Sequence, residues 1–144
     1  MDSIRHSSVV TSEALSVISK LNKMAFGFQY IKLEFCKLDE KLSETVIDQF
    51  VQHTKYLYEL NVSGKQDLPE TDKPNVLELA SRILEEQDEP MLQDLTLSML
   101  SSKSAEEPTE EDKRLINAVV QSGFNRLTSL HLDDNASWFS NSEV

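Results

Sequence analysis

Cysteine occurs once in these 144 residues, so an internal disulfide is excluded and a reducing, cytoplasmic setting is expected. Three glycines and four prolines are too few for collagen-like or Gly/Pro-rich disordered chains. No apolar run approaches the roughly 18 residues that cross a bilayer. The N-terminus, MDSIRHSSVVTSEALSVISK, lacks the continuous apolar core of a signal peptide. Basic residues are scarce as well: 14 Lys and Arg face 25 Asp and Glu, a net charge of −11. That excess disfavours nucleic acid and anionic membranes, and it favours basic partners or plain solubility. Gly-rich phosphate loops, nucleophile elbows and zinc spacings are absent. His6, His53 and His131 stand at no metal-like spacing from one another or from Cys36. Neither metal nor cofactor is expected, and no catalytic residue is identified.

What the chain does have is a short apolar phrase used four times. Phe28-x-x-Ile31-x-Leu33-x-x-Cys36-x-Leu38 is the fullest copy. Leu57-x-x-Leu60-x-Val62, Leu92-x-x-Leu95-x-Leu97 and Leu127-x-x-Leu130-x-Leu132-x-x-Asn135 follow. Self-similarity at such spacing is the mark of stacked repeats.

The gaps between phrases read as helices. Ser12 can cap a helix to about Ala25, with Leu15, Ile18 and Leu21 on one face. Ser43 can cap another to about Lys55, striped by Val46, Ile47, Phe50 and Val51. A polar loop, Ser63 to Pro74, leads to a helix over Asn75–Gln87 with Leu77, Ala80, Ile83 and Leu84 inward. Thr109 and Asp112 form an approximate capping box for a helix carrying Leu115, Ile116, Val119 and Val120, which Gly123 can end. Residues 1–11 read as a flexible lead-in. Two acidic stretches, Glu85–Glu89 and Glu106–Asp112, read as solvated connectors or helix ends.

Alternating helix and strand implies parallel strands joined by helical crossovers. A doubly wound sheet needs strands apolar on both faces, yet polar residues flank the central leucines: Lys32 and Glu34, Asn61 and Ser63, Thr96 and Ser98, His131 and Asp133. A one-sided sheet is therefore expected, with about four irregular repeats over 12–135 and a further repeat or a tail from 136 to 144. An all-helical bundle is the competing fold.

The phrase L-x-x-L-x-L-x-x-N/C-x-L resembles that of leucine-rich repeat proteins, in particular the ribonuclease-inhibitor-like subtype found in NOD-like receptors of innate immunity and in activators of small GTPases. The resemblance implies an α/β solenoid, a horseshoe with a parallel sheet on the concave side and helices on the convex side. It also implies a non-catalytic protein-binding module or scaffold, within a longer protein; a regulator of a small GTPase is the alternative. Phrase positions 3, 5 and 7 would face the concave side: Tyr30, Lys32, Glu34; Glu59, Asn61, Ser63; Asp94, Thr96, Ser98; Ser129, His131, Asp133. The candidate partner-binding residues are Tyr30, Lys32, Glu34, Glu59, Asn61, Asp94, Thr96, His131 and Asp133. Four acids against one lysine there make either an acidic strip for a basic segment of a partner protein or an ordinary wetted sheet face.

Other residues carry expectations of their own. His131 and Asp133, two apart on a strand, would form a surface pair. Cys36 falls on the repeat's Cys/Asn position and reads as a packed thiol. Phe35 either packs at the turn or meets a ligand. Trp138-Phe139 packs under a following helix or stands exposed as a hot spot. Buried Leu95 and Leu130 should each cost about 2–5 kcal/mol on truncation to Ala. The C-terminal sheet edge is expected to be covered by neighbouring repeats or another chain.

Overall fold

In the computed structural model, β1 (Ser3–Val10) is defined by its backbone, and backbone and side chains are described for residues 29–35, 37–38, 41, 43–64, 68–87, 91–101, 107–121, 127–135 and 138. The remaining elements are β2 (Tyr30–Phe35), α1 (Glu44–Val51), β3 (Glu59–Gly64), α2 (Lys73–Glu85), β4 (Asp94–Ser98), α3 (Glu110–Gln121) and β5 (Ser129–His131). The five strands form one sheet in the order β1-β2-β3-β4-β5, every neighbouring pair parallel. Strand order thus equals chain order, which an all-helical bundle excludes and a doubly wound sheet does not give.

The repeated phrase sets the register. Ile31 pairs with Leu60, Leu60 with Leu95, and Leu95 with Leu130. Period-two alternation then sorts the faces, because successive strand side chains point to opposite sides. Ile31, Leu33, Phe35, Leu60, Val62, Leu95 and Leu97 are buried, while the residues between them are only half-buried. Ile47, Phe50 and Val51 of α1, the inner face of α2, and Leu115 and Ala118 of α3 join them in one core. Among the described residues, helices cover one face of the sheet and none covers the other.

Local chemistry explains the helix starts. The Ser43 hydroxyl accepts the Val46 N–H at 3.2 Å, capping α1. Pro74 occupies the first turn of α2, where its missing N–H costs nothing. The capping box of α3 is closed: the Asp112 carboxylate accepts the Thr109 N–H at 2.9 Å, and Thr109 Oγ1 accepts the Asp112 N–H at 3.2 Å. On the outer surface, Arg82 of α2 reaches Glu44 and Asp48 of α1, and Arg114 of α3 forks onto Glu85 of α2. These hydrogen bonds hold both guanidinium pKa values above their ordinary range.

Strand exits are tied by polar groups. The Asn135 side chain accepts the N–H groups of Leu100 (2.7 Å) and Ser101 (3.1 Å) and donates to the Leu97 carbonyl (2.7 Å). Met99 and Asp134, 35 residues apart and at equivalent places after their strands, both take left-handed backbone angles (φ 54° and 58°). Gly64 lies one repeat before Met99, and a Cβ there would collide with the Met99 carbonyl oxygen.

Several expectations need correction. Residues 1–11 are not a loose lead-in: Ser3–Val10 is a strand that pairs with β2, its register shifting between His6 and Val9. Its mixed run of Ser, Arg and His hides the apolar alternation that marks the other strands. The first described helix ends at Val51 instead of Lys55, because Thr54 turns back to bond the Val51 carbonyl. The next begins at Lys73, two residues before the position expected from Asn75. Leu130 is 45% exposed, not buried; among the described residues β5 pairs with β4 alone. Asp112 is buried, although its acidic stretch reads as solvated. The expected helix over 12–25 and the roles of Phe28, Cys36, Gly123 and Phe139 lie outside the described residues.

Candidate functional site: the open face of the sheet

Parallel in-register pairing converts phrase positions into ladders across the open face. Position 3 gives Tyr30, Glu59, Asp94 and Ser129 in consecutive rungs. Position 5 gives Lys32, Asn61, Thr96 and His131, and position 7 gives Glu34, Ser63 and Ser98. Neighbouring rungs lie about 4.8 Å apart. All the candidate residues on β2 to β5 therefore share one surface. Asp133 follows β5, where its carbonyl accepts the Met99 N–H at 3.2 Å and keeps the chain beside the exit of β4.

Charge on this surface is uneven. Lys32 Nζ lies 3.5 Å from Glu34, which offsets the cation within its own strand. Glu59 and Asp94 stand directly opposite each other on adjacent rungs, so two carboxylates share one part of the open face. Toward the other end of β3 and β4 the face is neutral: Ser98 Oγ and Ser63 Oγ are 3.1 Å apart. The acidic character thus concentrates at the strand entrances of β3 and β4.

An aromatic pair borders this acidic corner. The rings of Tyr30 and Tyr58 lie 6.2 Å apart, tilted by 32°. Tyr58 escapes a reading based on phrase positions because it precedes β3. The sign that could have found it is its place, one residue before Glu59 and beside a strand that starts with Tyr30. Aromatic faces next to carboxylates suit the guanidinium and ammonium groups of Arg and Lys.

Other candidates fall away from the site. The His131 ring makes its contact with Ser129, Nε2 to Oγ 2.9 Å, in place of the expected partner Asp133. Phe35 is fully buried and cannot meet a ligand. Trp138 is also buried, and its indole N–H donates to Asp112 at 2.6 Å, so it is an anchor for the last rung. His53, behind the sheet at the end of α1, is held below its ordinary pKa by burial. Among the described residues, no cluster of His, Cys, Asp and Glu could hold a metal ion. Within the same residues, no helix is long and apolar enough to cross a membrane.

The chain matches no protein-family model, no curated protein and no solved structure.

Proposed function

We propose that this chain is a leucine-rich-repeat solenoid segment that acts as a non-catalytic binding module, taking a basic segment of a partner protein on the open face of its sheet. The observation that carries this reading is the facing pair Glu59 and Asp94 beside Tyr30 and Tyr58. A cationic side chain laid there meets two carboxylates and the faces of the rings together. The consecutive parallel strands, the phrase-to-phrase register and the Asn135 bonds at a strand exit support the repeat assignment. A site made of rim-type charges contributes chiefly to encounter rate and selectivity, with salt-sensitive affinity.

The test is binding to an array of Lys/Arg-rich peptides at two ionic strengths. The wild-type chain is expected to bind a subset, more weakly at high salt. The double charge reversal Glu59→Lys with Asp94→Lys should weaken that binding by about tenfold or more and flatten the salt dependence. Equal binding by wild type and variant would remove the assignment.

A further inference from the structure

Basic side chains do not all suit the acidic corner of the open face equally. Tyr30, Glu59 and Asp94 occupy position 3 of consecutive rungs, and Tyr58 directly precedes Glu59. Glu59 therefore adjoins both rings, as the register partner of Tyr30 and the chain neighbour of Tyr58. Asp94 stands one rung further, about 4.8 Å along the sheet. All four residues are half-buried, within reach of a ligand yet partly shielded from water. Lys32, two residues along β2 on the same face, lies 3.5 Å from Glu34.

The shape of the aromatic pair narrows what can sit there. Ring centroids 6.2 Å apart, with planes tilted by 32°, fall within the range of direct ring contact, so no group fits between the rings. They make a shelf, not a cage. A shelf suits a flat cation. The guanidinium of arginine is planar, stacks on aromatic faces and carries five N–H donors along its edges, whereas the lysine ammonium is a compact point charge with three donors. With its plane on the rings, a guanidinium still has in-plane N–H groups to give to Glu59 and Asp94. An ammonium that reaches the same carboxylates leaves the rings largely uncovered. A quaternary ammonium is held by aromatic walls around it, and two touching rings supply only one.

We propose that the open face selects arginine over lysine, Tyr30 and Tyr58 seating the guanidinium plane while Glu59 and Asp94 accept its N–H groups. This rests on the reading that the face takes a basic segment, and it adds which side chain in that segment is read. Net charge does not produce such a preference, because a chain of −11 attracts Arg and Lys peptides of equal charge alike.

Peptides of one length and spacing, with every basic position occupied by arginine, by lysine or by trimethyl-lysine, test the proposal against the full chain by fluorescence anisotropy. The arginine peptide is expected to bind about fivefold or more tighter than the lysine peptide. Tyr58→Leu should bring the two within about twofold, whereas Tyr58→Phe should keep the preference, since the ring and not the hydroxyl seats the cation. Tyr30→Leu should act as Tyr58→Leu does, and circular dichroism melts of each variant separate a lost shelf from a lost fold. Equal affinities for the arginine and lysine peptides overturn the inference and leave the basic-partner reading standing. Tightest binding of the trimethyl-lysine peptide overturns it as well, and so does an arginine preference that survives in both folded leucine variants. Binding of none of the peptides removes the inference and the reading together.

Discussion

At the residue scale, the Asn135 side chain ties the last described turn to the exit of β4. It is 1% exposed and satisfies three backbone groups of the preceding rung. Orphaned buried backbone groups are expensive, so Asn135→Ala should lower unfolding free energy by about 2–5 kcal/mol in urea denaturation. A loss well under 1 kcal/mol would mean that water replaces the amide. This residue was legible in the sequence, because it occupies the phrase position where the chain turns out of the strand. Asp112 was half legible. Its place in the capping box followed from Thr109 three residues earlier, whereas its bond to Trp138 joins residues 26 apart and leaves no local pattern.

At the scale of elements, equivalent leucines are not equivalent in energy. Leu95 is enclosed by β3 on one side and β5 on the other, whereas Leu130 has a neighbour on one side only. Leu95→Ala should therefore cost about 2–5 kcal/mol, and Leu130→Ala about 1 kcal/mol or less. Thermal melts check the pair; equal losses would show that β5 is covered. The strands β2 to β5 could be read from the phrase because their apolar positions alternate at period two. β1 could not, since it pairs through its backbone and its sequence, SIRHSSVV, carries no such phrase. The three described helices were legible from caps and stripes, with end errors of a few residues. Gln87 illustrates why: beside the local Ile83 carbonyl, to which it donates, it accepts the Leu57 N–H and donates to the Thr54 carbonyl, partners that only the fold brings near.

At the scale of the whole molecule, the open face was anticipated from the polar residues flanking each leucine pair, and its ladders followed once the register was fixed. Its electrostatic pattern was less visible. Composition alone suggests a uniformly acidic strip, but Lys32 offsets Glu34, and serines face each other between β3 and β4. What remains is a corner, with tyrosines beside two opposed carboxylates.

Strand order that equals chain order has a mechanical consequence. Held by its two ends and stretched, the sheet is loaded so that an outer strand can peel away without threading past the others. A force spectrometer should then record successive small extensions in place of one global rupture. Each step would release one repeat, about 29 residues between β2 and β3 and about 35 for each of the next two, or roughly 100–120 Å of contour. A single jump spanning the full chain would show that the rungs yield only together.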